Sequence, residues 1–276
     1  MSEVSKQSLY PLKKKKFLFW IVMGLLLIMI ILLTIFIVNR ITLNKTVKKA
    51  TSFANDYAMV MISGGTFQMG KNDSWLNLKP AHKVTLNTFY IGKYEVTQKQ
   101  WKEVMGTNPS TFSGCDDCPV EQLSWNDIQI FINKLNDKTS FDFRLPTEAE
   151  WEFAARGGNL SRGYEYAGSN DYKAVAWYDS NSKGKPRQVG MKDSNEYGLY
   201  DMSGNILEWC QDYYDENYYK YSPANNPKGP ITGTYRVLKG GSWSFDYGNC
   251  QPAYRFYHSP EMPSEFSGFR LCRDFK

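Results

Sequence analysis

The chain opens with a stretch that has no polar rhythm at all. Residues 17–38 carry no charge and are almost wholly Leu, Ile, Val, Phe and Met. A helix of that length spans a hydrocarbon core of about 30 Å. The pattern then shortens. Met59-Val-Met-Ile-Ser-Gly-Gly-Thr-Phe-Gln-Met-Gly70 is an apolar stretch, a Gly-Gly turn and an alternating segment, which predicts a hairpin. Val84-Thr-Leu-Asn-Thr-Phe-Tyr-Ile91 alternates apolar and polar positions and predicts a further strand.

Three helices follow from their start signals. Thr97 with Gln100 forms a capping box ahead of Trp101, Val104 and Met105. Ser124 with Asp127 is a similar cap, and Ile128, Phe131, Ile132 and Leu135 behind it share one helical face. Thr147 with Glu150 is a third box, followed by Trp151 and residues 153–155. After Arg156, Gly, Asn, Ser, Pro and Tyr become frequent and long periodic stretches vanish. The clear late strands are residues 236–243 and 268–272. The fold class is α+β, with much irregular structure of the kind that is usually functional or ion-stabilised.

Charge changes the picture at the N-terminus. The net charge is +5, yet residues 1–50 hold nine Lys/Arg against the single acid Glu3. The remaining 24 basic and 27 acidic residues make the domain mildly acidic, which argues against a nucleic-acid-binding face. Lys13, Lys14, Lys15 and Lys16 directly precede the apolar run, so the N-terminus is expected in the cytoplasm and the bulk of the chain outside it. A cleaved signal peptide fits less well. The run exceeds a signal core of about 7–15 residues, and Asn39-Arg40-Ile41 offers no small-residue cleavage site. The expected organisation is a basic tail at 1–16, a transmembrane helix at 17–38, a polar stalk at 39–57 and one domain at 58–276. The expected location is the plasma (inner) membrane.

Several segments then match one family in order. Phe143-Arg-Leu-Pro-Thr-Glu-Ala-Glu-Trp-Glu-Phe-Ala-Ala-Arg156 is the most specific. Lys93-Tyr-Glu-Val-Thr-Gln98, Pro119-Val-Glu-Gln-Leu-Ser-Trp125, Gly198-Leu-Tyr-Asp-Met-Ser-Gly-Asn205 with Glu208-Trp209, Lys239-Gly-Gly-Ser-Trp243 and Gly268-Phe-Arg270 accompany it. The domain resembles the formylglycine-generating enzyme (sulfatase-modifying factor) family over about residues 58–274. The resemblance implies a C-type-lectin-like fold. Most of these residues have framework readings: Glu150 as a helix cap, Trp125, Trp151 and Trp209 as core, Arg144 and Arg156 as buried salt-bridge partners.

The resemblance also implies a chemistry and shows where it is broken. The family's enzyme oxidises a sulfatase cysteine with copper and oxygen, using two cysteines five residues apart after the Gly-Gly-Ser strand. Two thiolates suit soft Cu(I). Here Cys250 stands at the second position and Phe245 at the first. Phe cannot ligate a metal, and the chain has two histidines, His82 and His258, to compensate. Copper is not expected, and Cys250 remains as a residual family position. Cys115-Asp-Asp-Cys118 is expected as a local disulfide, with a redox role the alternative. Cys210 and Cys250 flank family motifs and are expected to pair, leaving Cys272 free.

Family members hold calcium at a Gly-Asn-x-x-Glu turn. Carried over, that implies backbone oxygens near Gly204 and Ile206 with side chains from Asn205 and Glu208. A hard cation wanting about 6–8 oxygens suits such a set. The C-terminal stretch supplies a candidate ligand face. Trp243, Ser244, Phe245, Asp246, Tyr247 and Asn249 are followed by Phe256, Tyr257 and His258, and then by Phe266. Aromatic, Ser and Asn side chains are the chemistry of adaptable binding surfaces. The stretch resembles the variable region of lectin-fold ligand-binding proteins. The leading expectation is a membrane-tethered, non-catalytic domain binding a protein, peptide or glycan. A formylglycine-generating oxidase and a structural subunit of an envelope assembly are the alternatives.

Overall fold

The structure, a computed structural model, describes residues 10–55, 57–73, 77–139 and 141–275, so residues 1–9 of the expected basic tail lie outside it. The chain divides into two compact units, Met1–Ser52 and Phe53–Lys276. The described part of the first is helical and belongs to α1 (Tyr10–Asn55). Within it Lys16–Thr42 is long and apolar enough to cross a membrane. The segment expected as a stalk is helical as far as Asn55. Residues 39–55 contain no Gly or Pro, so nothing in the chain breaks the hydrogen-bond ladder there.

The second unit is a mixed helix and sheet fold. In chain order it runs β1 (Met59–Ile62), β2 (Gly65–Met69), β3 (His82–Leu86), β4 (Phe89–Gly92), α2 (Gln98–Met105), α3 (Trp125–Thr139), α4 (Glu148–Ala155), α5 (Tyr172–Val175), α6 (Asp179–Ser182), β5 (Leu207–Tyr213), β6 (Arg236–Lys239), β7 (Phe256–His258), β8 (Ser267–Gly268) and β9 (Cys272–Asp274). The strands form three sheets, in the orders β1-β4-β9, β2-β3 and β7-β6-β5-β8.

Two strand expectations are corrected. Residues 59–70 are not a hairpin: β1 pairs with β4, and β2 pairs with β3. A Cβ on Gly64 would lie 2.6 Å from the Leu86 carbonyl oxygen, so glycine lets the chain cross tightly into a second sheet. Residues 84–91 are likewise two strands, broken at Asn87 and Thr88. There the Gly64 amide donates to Thr88 Oγ1 (3.1 Å) and the Asn87 amide to Asn226 Oδ1 (2.8 Å).

The helix starts are as expected. Thr97 and Thr147 both make complete capping boxes, and Ser124 Oγ accepts from the Asp127 amide. On α3, Ile128, Phe131, Ile132 and Leu135 are buried. Trp101 of α2 stacks on Phe131 with centroids 4.9 Å apart. This group forms one core with Trp209, Leu238 and Phe269. A second core gathers Ile62, Phe89, Trp151 and Phe153 with Cys210 and Val237. Neighbouring residues of β5 and β6 thus enter different cores, as side chains alternating across a strand must. A sheet covered on both sides shows no polar alternation, which is why β5 has no clear sequence signature. Trp125 is partly buried rather than fully so, with its Nε1 donating to the Cys210 carbonyl (3.0 Å). Arg144 and Arg156 form salt bridges, but their side chains keep 29% and 28% exposure.

Candidate functional site

The loop after β6 is built on two left-handed glycines, Gly240 (φ 95°) and Gly241 (φ 78°). A Cβ on Gly241 would meet Cys250 Sγ at 2.9 Å, so only glycine allows the loop to fold back on itself there. The Trp243 amide donates to the Asn205 carbonyl (2.8 Å), and Ser182 Oγ donates to the Trp243 carbonyl (2.7 Å). Asp246 caps a single turn, Tyr247–Cys250, by accepting from the Gly248 amide (2.8 Å). The loop is therefore pinned at both ends while its outer residues stay available.

The ten residues expected to form a ligand face separate into distinct groups. Trp243, Phe245, Phe256 and Phe266 make one continuous aromatic run. Trp243 lies 5.3 Å from Phe266, and Phe245 lies 5.0 Å from Phe256 and 6.4 Å from Phe266. Phe112, from the loop after α2, extends the run by meeting Trp243 edge-on at 5.3 Å. Tyr254 extends it at the other end, 5.0 Å from Phe256. Neither was legible in the sequence, because nothing local ties residue 112 to residue 243. Ser244 and Asp246 are exposed beside this run, and Asn249 is half-buried.

Tyr247 leaves the group and stacks on Tyr172 of α5 at 4.2 Å. Tyr257 leaves it too. It is the middle residue of β7, so its side chain points away from Phe256 and His258, and it stacks on Tyr214 at 4.2 Å. His258 is half-buried, 6.1 Å from Trp209. Beside Phe112 a cleft of about 370 Å³ opens between the Cys115–Cys118 turn and residues 185–188, with Lys185 and Arg187 on its wall.

Cys115 and Cys118 form the expected disulfide. The expected Cys210–Cys250 pair does not form: Cys210, Cys250 and Cys272 are all free thiols, and all are buried. Cys250 packs with Tyr166, Val175, Ala176 and Tyr178, whereas Cys210 lies in the core around Trp151. Burial, with Asp246 and Asp179 nearby, pushes the Cys250 thiol up to about 12. Burial thus disfavours the thiolate form of Cys250.

The calcium turn has side chains already committed. Glu208 takes two short bonds from Arg270, 2.5 and 2.6 Å, and one from Trp151 Nε1, 2.7 Å. Asn205 Nδ2 donates to both Glu95 oxygens at 3.2 Å, and its Oδ1 accepts from the Arg187 amide (2.8 Å). Gly204 and Ile206 are buried within the turn. The residue missed is Asp201. It is 2% exposed and held at φ 56°, and it accepts from the Gly190 amide through Oδ2 (2.7 Å). Its Oδ1 has no partner among the described residues. Burial pushes its carboxyl up to about 6. Glu95 is raised as well, by burial and then by Asp201 and Glu208. Three buried carboxylates thus lie near one buried guanidinium, Arg270, which bonds Glu208, with the part-exposed Lys192 a weaker cation near Asp201. Asp201 therefore keeps one carboxylate oxygen open, whereas both Glu208 oxygens are held by Arg270 and Trp151. No three acidic, His or Cys side chains converge on one point among the described residues, so loop carbonyls would supply much of the shell.

Residues 44–275 match the family model of the sulfatase-modifying factor enzyme 1-like domain. The chain belongs to this family. The chaperone protein LppX of Paenibacillus barcinonensis is 35% identical over 71% of this chain and 82% of its own. The formylglycine-generating enzyme of Streptomyces coelicolor is 31% identical over 72% of this chain, and the match spans 60% of that enzyme's length. Among solved structures, Treponema denticola variable protein 1 superposes with a TM-score of 0.74 and 34% identity, covering 79% of this chain and 95% of that one.

Proposed function

We propose that this family member is a membrane-anchored, non-catalytic binding domain that takes a protein or peptide segment on the Trp243–Phe245–Phe256–Phe266 run. One observation carries the reading. The resemblance puts Phe245 at the family's first copper-cysteine position, and Phe245 packs on Phe256 and Phe266 in a half-buried aromatic run. The one remaining cysteine of the pair is buried and protonated. Large, rigid aromatic rings give contact area at low entropic cost, and Lys185 and Arg187 beside Phe112 favour an acidic partner segment. A glycan is the less favoured occupant, because the run is apolar. The likeness to a structure named as a variable protein supports reading this loop as the part that adapts.

In this reading the span at 17–38 is the anchor. The basic tail is cytoplasmic, and the domain at 58–276 lies outside the cytoplasm, at the plasma membrane. A structural calcium ion belongs to it too. Asp201 and the carbonyls of Gly204 and Ile206 would hold the ion, which would supply the positive charge that Arg270 alone cannot. Asn205 and Glu208 would brace the turn from outside the shell.

The test uses the full chain in lipid nanodiscs and in cells. A photo-crosslinker at position 245 is expected to capture one discrete partner, whereas the same group at the exposed Ile130 of α3 captures none. Phe266→Ser is expected to weaken that capture at least tenfold. Stoichiometric Cu(I) on Cys250, together with oxidation of a cysteine in a sulfatase-motif peptide, would replace this reading with an enzymatic one.

A further inference from the structure

A second large cavity lies outside the aromatic face and shares no residue with it. It is a cleft of about 530 Å³ at the break between β3 and β4. Its volume falls within the usual range of small-molecule sites. The floor is apolar, made by the buried side chains of Leu86 and Phe89.

One wall is a rigid clamp. Arg144 donates all five of its N–H groups: to Glu150 (2.7 and 2.7 Å), to Asp274 (3.0 and 2.6 Å) and to the Leu145 carbonyl (3.0 Å). Nothing of its guanidinium is left for a ligand, and the clamp holds Glu150 at the start of α4 against Asp274 at the end of β9. With Lys228 at the rim the charges around the cleft sum to zero, two cations against two carboxylates. A charged ligand therefore finds no net field to favour it.

What the cleft does offer is planar amides. The side-chain amide of Gln211 makes no hydrogen bond to any described residue, nor does that of Asn87. Asn226 spends its Oδ1 on the Asn87 amide and leaves its NH₂ unused. Each free amide presents a donor and an acceptor side by side, which is the pairing that adjacent hydroxyls need. Asn226 is fixed for this purpose: its own amide donates to the Thr85 carbonyl (2.9 Å), and its backbone is left-handed at φ 45°. Finally, Phe275 closes one side. One face of its ring rests on Tyr90, 5.9 Å away, and the ring stays 52% exposed.

We propose that this cleft binds a neutral saccharide, with the amides of Gln211, Asn87 and Asn226 pairing its hydroxyls and the Phe275 ring lying against its C–H face. The apolar floor, balanced charge, free amides and single exposed ring together select a hydroxyl-rich, uncharged ligand over an ion or an apolar molecule. A peptide is the competitor, since it also pairs with amides. It would have little use for a lone exposed ring backed by a second aromatic.

The test titrates maltose and N,N′-diacetylchitobiose against the full chain in nanodiscs, followed by isothermal calorimetry and saturation-transfer NMR. At least one sugar is expected to bind with a Kd of about 1 mM, with its ring protons in contact with aromatic protein protons. Gln211→Ala and Phe275→Leu are each expected to weaken it about tenfold. Phe275→Leu keeps volume against Tyr90 and loses only the ring, so a folding loss cannot mimic the effect. Failure of both sugars at tens of millimolar, or binding that both substitutions leave intact, overturns the proposal. So does an uncharged peptide such as N-acetyl-Gly-Gly-amide that displaces the sugar at equal concentration.

Discussion

The carboxylates of Glu148 and Glu152 and those of Glu95, Asp201 and Glu208 are all withdrawn from water, but their surroundings are finished differently. Arg255 donates to Glu148 at 2.6 and 3.0 Å, with Tyr219 Oη adding a bond of 3.0 Å. Lys239 and Arg156 reach Glu152 at 3.1 and 2.9 Å, and the Gly70 amide donates to it at 2.9 Å. Burial pushes Glu152 up, yet Lys239 and Arg156 more than offset it, and the carboxyl ends below its ordinary value. The second set has one guanidinium for three acids. Its Asp201 and Glu95 are raised, and one oxygen is left without a partner. The first cluster is a closed framework that ties α4 to β6 and to the loop before β7. The second is left with an unpartnered oxygen on Asp201, and it lies beneath the loop whose Trp243 amide rests on Asn205.

The comparison breaks most readily at the first cluster. Lys239→Met removes a fully buried ammonium and leaves Glu152 with the partly exposed Arg156 as its one charged partner, beside the Gly70 amide. Stripping one partner from a buried ion pair costs about 3–5 kcal/mol. Denaturant unfolding of the domain is expected to show a loss of that size. A loss under about 1 kcal/mol would mean that water already reaches Glu152 and that the two clusters do not differ as described.

The second cluster should answer to pH and calcium instead. The folded Asp201 carboxyl titrates at about 6, against an unfolded value near 3.9. Between those values the folded state binds the proton more tightly. Without calcium, the group therefore stabilises the domain in acid and withdraws that help as pH rises through about 4 to 6, by about 3 kcal/mol in all. Calcium is expected to restore the loss at pH 7, by about 2.7 kcal/mol at a hundred times its Kd, and to do little at pH 4. Thermal melts with calcium and with chelator at the two pH values read this directly. Equal calcium effects at both would separate the ion from Asp201. Asp201→Asn should remove the Asp201 share of the pH dependence, leaving that of Glu95, while keeping the bond from the Gly190 amide.

The sequence made some of this contrast visible and hid the rest for physical reasons. The capping boxes at Thr97 and Thr147 were legible because a cap is settled within four residues. The α3 face was legible because its buried positions recur with the helical period. Family membership was legible because the motif at residues 143–156 and its companions occur in a fixed order along the chain. The pairing of β1 was not, since Gly64 steers the chain across the Leu86 carbonyl, a contact between distant segments. Tyr247 and Tyr257 look like neighbours of Phe245 along the chain. One is drawn off by Tyr172, and the other is turned to the far side of β7 by strand alternation. Asp201 carried no signal of its own. It matters through its left-handed backbone and through Glu95, more than a hundred positions away.

The smallest predicted effect sharpens the comparison most, because the two clusters should respond with opposite signs to the same chemical change. Glu95→Gln keeps the side chain's size and leaves Oε1 to accept from Asn205 Nδ2, which now reaches the carboxylate at 3.2 Å. It deletes one negative charge from a cluster that has too many. At pH 7 without calcium the domain is expected to gain about 1 kcal/mol, since a buried charge without a full partner is replaced by a neutral amide. At pH 5 the gain should shrink, because protonation of Asp201 relieves the same repulsion. Glu148→Gln makes the identical exchange in the closed cluster and leaves Arg255, which is 3% exposed, without its carboxylate, so it should destabilise, by about 3–5 kcal/mol. If both substitutions destabilise alike in the absence of calcium, the Glu95 carboxylate is already compensated and no cation is missing beside Asp201.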